Sequence, residues 1–171
     1  MITEDMRAVI EAAHICFAAT VTPDQRPNLS PKGTIRVWDD THLFFLDIAS
    51  PGTRRNLEHS PWMELNVVEM LSRRGYRFFG RAELHRDDDV YAQATNRVFS
   101  EEGSAYPVEA VVLLAVERAV PLVSPGYMHV ADEAAMRAWW KERRAALDRA
   151  FDAYLSIWRS EERRVGKECR S

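Results

Sequence analysis

The chain has 171 residues, which is enough for one domain with a proper hydrophobic core, and its 46% hydrophobic and 29% charged content is ordinary for a soluble globular protein. Its formal net charge of −3 argues against nucleic acid or an anionic membrane surface as a partner. No apolar run approaches the ~20 residues needed to span a bilayer, so we expect no membrane association.

Two features of the sequence predict a reducing, cytoplasmic location. The first residues, Met1–Arg7, are acidic and polar and are followed by no apolar segment of the kind found in a secretory signal. The two cysteines are Cys16, in an apolar strand, and Cys169, near the C-terminus. They form no disulfide framework, and we expect Cys16 to be a small core residue.

The first part of the chain reads as a short helix followed by a strand. Thr3 has the side chain of an N-cap, and apolar residues follow it at helical spacing. Residues Ile15–Val21 are small and β-branched, as in a strand, and Thr22–Pro27 is a turn cluster. The run Leu43–Leu46 is continuously apolar, which predicts a strand that is buried on both faces.

Further strands and two helices follow. Residues Trp62–Glu69, Tyr76–His85 and Ala110–Arg118 have the composition of strands. A triple aspartate at 87–89 predicts the cap of a helix, and another helix begins near Asp132 after a Pro- and Gly-rich crossing segment at 120–127. Strands at hairpin spacing with peripheral helices predict a mainly β fold, an antiparallel barrel rather than a doubly wound sheet.

The stretch from Pro27 to Pro61 contains two turns that suit an anion. The first, at 30–34, places a lysine beside a glycine, and the second, at 50–56, opens into a short helix with two arginines in its first turn. Helix N-termini attract anions, and arginine binds phosphate with a planar fork. A hairpin between the turns would let them converge on one phosphate. The candidate cofactor-binding residues are Ser30, Pro31, Lys32, Gly33, Ser50, Thr53, Arg54, Arg55 and Asn56.

The order of these segments resembles that of the pyridoxamine 5'-phosphate oxidase-like FMN-binding split barrels. The helix ending Asn56-Leu57-Glu58-His59-Ser60-Pro61 matches the family's Asn-Leu-x-x-x-Pro element, and the similarity continues through Trp62–Glu69 and Tyr76–Leu84 to Ser124–Tyr127. It covers most of residues 5–140. The resemblance implies a six-stranded antiparallel split barrel, FMN as cofactor, a small-molecule substrate and a homodimer that binds the cofactor between its subunits.

One position departs from the family pattern. Many relatives have a lysine where Thr53 stands, whereas this chain has Arg54 and Arg55 one and two residues later. Which of the two arginines would hold the phosphate is open at this point. Only one of them is expected to point inward, because neighbouring residues do not share a helix face.

The sequence assigns no catalytic residue and no metal site. The five histidines have no metal-ligand spacing, and neither a dinucleotide fingerprint nor a nucleophile elbow is present. We therefore expect an oxidoreductase in which FMN carries electrons to or from an unidentified small molecule. The alternatives are a non-catalytic protein that binds a flavin, another phosphorylated ligand or a tetrapyrrole, and a deazaflavin-dependent reductase.

The domain organisation is predicted to be simple. Residues 1–159 form one FMN-binding split-barrel domain. Residues 160–171, SEERRVGKECRS, have no apolar periodicity and resemble vector- or adaptor-derived sequence, so they are predicted to be a non-native or disordered tail.

Overall fold

The computed structural model describes residues 1–103 and 105–168, with side chains described up to residue 155 apart from residue 104. The chain forms two compact units, Met1–Ser124 and Pro125–Ser171. Over the described residues no helix is both long and apolar enough to cross a membrane.

The first unit is built on one antiparallel sheet with the strand order β2-β1-β5-β6-β7-β4-β3. The strands are β1 (Cys16–Val21), β2 (Pro27–Lys32), β3 (Arg36–Val37), β4 (His42–Asp47), β5 (Trp62–Val68), β6 (Arg74–His85) and β7 (Ala110–Val123). The sheet curls so that β2 approaches β4. This confirms the predicted mainly β barrel architecture, with a seventh strand because the two-residue β3 pairs with β4.

Three helices flank this sheet: α1 (Glu4–Ala13), α2 (Pro51–His59) and α3 (Asp89–Glu102). The predicted caps of the first and third are confirmed, since Thr3 Oγ1 accepts the N–H of Met6 at 3.3 Å and Asp88 Oδ1 accepts the N–H of Tyr91 at 2.9 Å. In the second unit, Pro125–Met128 is a single 3₁₀ turn and α4 spans Glu133–Glu168.

Strand β4 is buried on both faces, as its apolar run predicts. Leu43 and Phe45 belong to the core inside the curled sheet. Phe44 and Leu46 point the other way and pack with Ala94 of α3 in a second cluster. The strand is thus held between two apolar layers, which fixes the position of its C-terminal end.

Strand β7 is longer than the sequence indicates. It was expected to end at Arg118 but continues to Val123, because β6 begins at Arg74 and pairs with it along its whole length. Because of Pro121, the sequence predicts a connecting segment here and not a strand. The proline is tolerated because β4 pairs with β7 only as far as Ala115, so the last part of β7 has one neighbour in the sheet.

Helix α4 begins as predicted, with Asp132 Oδ1 accepting the N–H of Ala135 at 2.8 Å. Met136 of α4 is buried, whereas Leu147 and Phe151 further along the helix are 63% and 60% exposed. The helical backbone continues to Glu168, into the predicted tail, and residues 169–171 lie outside the described residues. The boundary at 159 stays a prediction.

Candidate functional site

The end of β4, the start of α2 and the end of β2 meet at one place. The Thr34 side chain ties the turn after β2 to β4, since its Oγ1 accepts the N–H of Leu46 at 2.9 Å and donates to the Leu46 carbonyl at 3.3 Å. Helix α2 then starts four residues after β4 ends, with Pro51 in its first turn. The two anion-ready turns of the sequence are therefore brought together by short, local connections.

Lys32 joins the two turns directly. Its Nζ donates to Ser30 Oγ at 3.0 Å on its own strand and to Ser50 Oγ at the start of α2. Only 5% of Lys32 is exposed. Burial lowers the pKa of Lys32, and the nearby Asp47 carboxylate opposes that shift. The ammonium group is therefore held in place before any ligand arrives.

Asp47 is a buried anion that was not among the residues predicted from the sequence. It ends β4 and is 0% exposed. Its Oδ2 accepts from Arg54 Nη1 at 2.6 Å, while Oδ1 lies 3.9 Å from Lys32 Nζ. That Oδ1 has no hydrogen-bond partner among the described residues. The available signal was an acidic residue directly after a strand that is apolar on both faces.

The structure distinguishes the two arginines of α2. Arg54 faces Asp47, and its Nη2 also lies 3.8 Å from Glu109 Oε2. Arg55 is exposed and makes no hydrogen bond or ion pair with the side chains that the structure describes. Arg54 is thus the arginine that joins the buried charges. The name Lys32 cluster is used below for Ser30, Lys32, Asp47, Ser50 and Arg54.

Two other predicted site residues are buried in α2. Thr53 is 2% exposed and Asn56 is 3% exposed. The Asn56 amide donates to Thr20 Oγ1 on β1 at 2.9 Å. Its side chain therefore attaches α2 to the sheet, and it makes no contact with Lys32 or Arg54 among the described hydrogen bonds.

The remaining predicted residues lie at the open rim. Pro31 and Gly33 are exposed. A Cβ placed on Gly33 or on Gly52 would meet no atom within 4 Å. The two turns therefore border open space rather than packed protein.

The first turn of α2 has backbone donors that take no part in the helical hydrogen bonds. Arg54 N–H bonds to the Ser50 carbonyl at 3.2 Å, but the N–H groups of Gly52 and Thr53 precede the first helical hydrogen bond. Ser50 does not cap the helix with its side chain, and its hydroxyl instead accepts a hydrogen bond from Lys32. Free N–H groups at a helix N-terminus carry partial positive charge and suit an anionic oxygen.

A second surface lies on the outward side of the sheet. The outer face is defined here by Phe17, Leu29, Trp62, Phe79 and Val120, which share one side of β1, β2, β5, β6 and β7 by register. Trp62 and Phe79 stack with their ring centroids 5.3 Å apart. Leu29 is 66% exposed and Phe17 is 44% exposed.

Charged residues flank this outer face. Arg81 lies over the Trp62 ring at 5.1 Å, and Arg118 lies over the Phe79 ring at 5.6 Å. A cavity of about 220 Å³ opens beside them. It is lined by Glu64, Arg77, Phe79, Arg118 and Val120. Among the described residues no group of three histidine, cysteine or acidic side chains could hold a metal ion.

Comparisons with known proteins place the chain in a family. The family model for pyridoxamine 5'-phosphate oxidase matches residues 2–121. HupZ from Group A Streptococcus is 32% identical over 72% of this chain and 96% of its own, with a TM-score of 0.64. No curated protein sequence matches the chain.

Two more distant structures share the fold. An FMN-binding protein from Syntrophomonas wolfei is 14% identical, over 71% of this chain and 86% of its own, with a TM-score of 0.59. HutZ, a heme storage protein from Vibrio cholerae, is 18% identical, over 71% of this chain and 94% of its own, with a TM-score of 0.56. The match to the family model over residues 2–121 and the likeness to HupZ together show that this chain belongs to the pyridoxamine 5'-phosphate oxidase family.

Proposed function

We propose that the protein binds FMN at the Lys32 cluster and acts as a flavin-dependent oxidoreductase on a small molecule. The observation that carries this proposal is the convergence of Lys32, Ser50 and Arg54 at the start of α2, beside the open space at Gly33 and Gly52. Membership of the pyridoxamine 5'-phosphate oxidase family supports it.

The donors at this place fit the phosphate of FMN. Lys32 and Arg54 supply positive charge, the Ser30 and Ser50 hydroxyls add polar contacts, and the N–H groups of Gly52 and Thr53 precede the first hydrogen bond of α2. Charge-assisted hydrogen bonds of this kind are stronger than neutral ones. When bound, the flavin supplies the redox chemistry, which fits a sequence in which no acid–base pair stands out.

The residues of the chain bind and position the cofactor. Lys32 is fixed by two hydroxyls, so little side-chain freedom is lost when an anion arrives. Its burial removes competing water, which strengthens its attraction for a negative group. The amide of Asn56 anchors α2 on β1 and so sets the position of the N–H groups at the start of the helix.

The proposal includes a homodimer with the cofactor at its interface. The outer face exposes large apolar side chains in an unbroken set of paired strands. It also carries both signs of charge, since Arg77 pairs with Glu64 and Arg118 lies nearby. A second copy of the chain can cover this surface by two-fold symmetry, because a self-complementary patch then meets itself.

Titration of the purified protein with FMN tests the cofactor assignment. We expect flavin fluorescence to be quenched with one site per chain and thermal stability to rise. A ligand at 100 times its Kd stabilises the folded state by ~2.7 kcal/mol, which is easily measured. Absence of both signals with excess FMN would remove the proposal.

Two further measurements separate an enzyme from a carrier. Bound FMN that is reduced by NAD(P)H and reoxidised by an acceptor supports the oxidoreductase. Hemin titrated in parallel tests the alternative of a tetrapyrrole-binding protein. Tight hemin binding without flavin binding would favour that alternative, and the same outcome with a deazaflavin would favour a deazaflavin-dependent reductase.

A further inference from the structure

We propose that Asp47 determines the specificity of the Lys32 cluster. Its charge makes the site prefer the singly charged form of a phosphate monoester over the doubly charged form. This inference rests on the proposed function and deepens it. The sequence indicated a cationic clamp. The structure shows a clamp in which an anion is already present.

The charges at the site carry the argument. Lys32 and Arg54 contribute two positive charges, and the Asp47 carboxylate removes one of them. Glu109 also lies near Arg54, but its side chain is 57% exposed. Water and salt screen such a surface charge. The cluster therefore presents a net charge of about one unit to a ligand, which balances one negative charge rather than two.

The position of Asp47 makes its charge effective. The side chain is 0% exposed, so bulk water does not screen it. Its Oδ1 accepts no hydrogen bond from the described residues, so the charge on that oxygen is not dispersed. A second negative charge on the ligand would therefore be repelled by Asp47 through a low-dielectric medium.

Three ionisable side chains lie around Asp47, each on a different part of the chain. Lys32 approaches from β2, Arg54 from α2 and Glu109 from the segment before β7. Cys16 of β1 lies near Lys32, and burial raises its pKa to about 12, so it stays neutral. The phosphate monoester takes up its second proton with a pKa of about 6.

The test compares FMN with riboflavin, which lacks the phosphate. The ratio of their dissociation constants isolates the phosphate contribution, and it is measured at about pH 5.5 and about pH 7.5, on either side of the phosphate pKa. The advantage of FMN is the factor by which it binds more tightly than riboflavin. In the natural chain we expect this factor to be at least about fivefold greater at the lower pH, because the fraction of FMN whose phosphate is singly charged rises by more than that.

The variant Asp47→Asn removes the internal anion. We expect the advantage of FMN at the higher pH to rise by about tenfold or more, the effect of roughly one charge interaction in this medium. The advantage should no longer grow at the lower pH. Protonation of Lys32 would also favour FMN at low pH, but it would do so in both proteins, so the variant separates the two causes.

The matched control is Glu109→Gln, which removes a carboxylate that also lies near Arg54 but is exposed. The ratio of dissociation constants for riboflavin and FMN in this variant should stay within about twofold of the ratio in the natural chain, since screening weakens a surface charge. The proposal would be overturned if the ratio of the two dissociation constants did not change with pH in the natural chain. It would also be overturned if the ratio changed with pH in the same way in Asp47→Asn. If that variant does not fold, Asp47→Ser is compared in the same way, because it also removes the charge, and a ratio independent of pH in the natural chain still overturns the proposal.

Failure of the FMN proposal would be seen separately, as a lack of binding by both flavins. Inorganic phosphate then serves as the probe. Thermal stabilisation of the natural chain by phosphate, relative to sodium chloride of equal ionic strength, should be larger at the lower pH. Equal or smaller stabilisation there would refute the role of Asp47 without reference to any flavin.

Discussion

At the scale of single residues, Arg54 and Arg55 are neighbours in α2 with different surroundings. Arg54 pairs with a fully buried carboxylate, whereas Arg55 points to solvent. Removing one partner of a buried ion pair leaves the other charge uncompensated. The two adjacent arginines therefore form a natural matched pair for mutation.

We predict that Arg54→Ala lowers the free energy of unfolding by roughly 3 kcal/mol, because the buried Asp47 carboxylate would lose the side chain that donates a hydrogen bond to it. Arg55→Ala should change it by less than about 0.5 kcal/mol, as is usual at the surface. FMN binding should also weaken about tenfold or more in Arg54→Ala. Urea denaturation and flavin titration measure both effects. Similar values for the two variants would contradict this account.

The residue-level features of the site were partly predictable. The meeting of Lys32 with Ser30 and Ser50 follows from two polar turns joined by a hairpin, which the sequence showed. The role of Asp47 could not be found in this way. Whether an acid that follows an apolar strand is solvated or buried depends on which segments cover it, and that is a property of the tertiary structure.

At the scale of elements, the pairing of β6 with β7 depends on a bulge. The register shifts between Phe79 and Gly80. A Cβ on Gly80 would overlap the carbonyl oxygen of Ala115 on β7. Glycine is therefore required here so that the two backbones can approach closely.

We predict that Gly80→Ala destabilises the fold by about 1–3 kcal/mol or more, because the added methyl group must push the strands apart. Gly33→Ala is the control, since a Cβ there meets no atom within 4 Å. Thermal or urea unfolding of the two variants measures the difference. A Gly80→Ala protein as stable as the control would show that β6 and β7 are not paired in this register.

Local sequence identified most elements but placed the end of β7 wrongly. The strand Leu43–Leu46 and the caps at Thr3 and Asp88 have strong local signals. The segment after Arg118 does not, because Pro121 is a strand breaker by propensity. It is strand only because β6 extends far enough to pair with it, a non-local effect.

At the scale of the whole molecule, the outer face is the clearest surface that the described residues leave uncovered. Leu29 and Phe17 lie within the paired strands β2 and β1 and are 66% and 44% exposed. Exposed apolar surface on a sheet promotes association. The sequence shows that these strands contain large apolar residues, but only the register shows which of them share this face.

We predict a homodimer of the 19.7 kDa chain at micromolar concentration, measured by light scattering or sedimentation. Leu29→Asp should shift it to the monomer, because a charge would then be buried in the interface. The control Leu147→Asp changes an equally exposed leucine on α4. A monomer produced by the control alone would place the contact on that helix, and a natural chain that is monomeric and binds FMN would exclude an obligate dimer.

The attachment of α2 has a consequence for how the protein folds. Lys32 and Ser50 are 18 positions apart in the chain, and Asn56 and Thr20 are 36 apart. The first contact closes a short loop, but the second cannot form until α2 has docked on β1, and closing the longer loop costs entropy before any contact repays it. The cluster is therefore assembled late, and a partly folded chain does not contain it. A ligand bound there stabilises the native state as a whole instead of one segment.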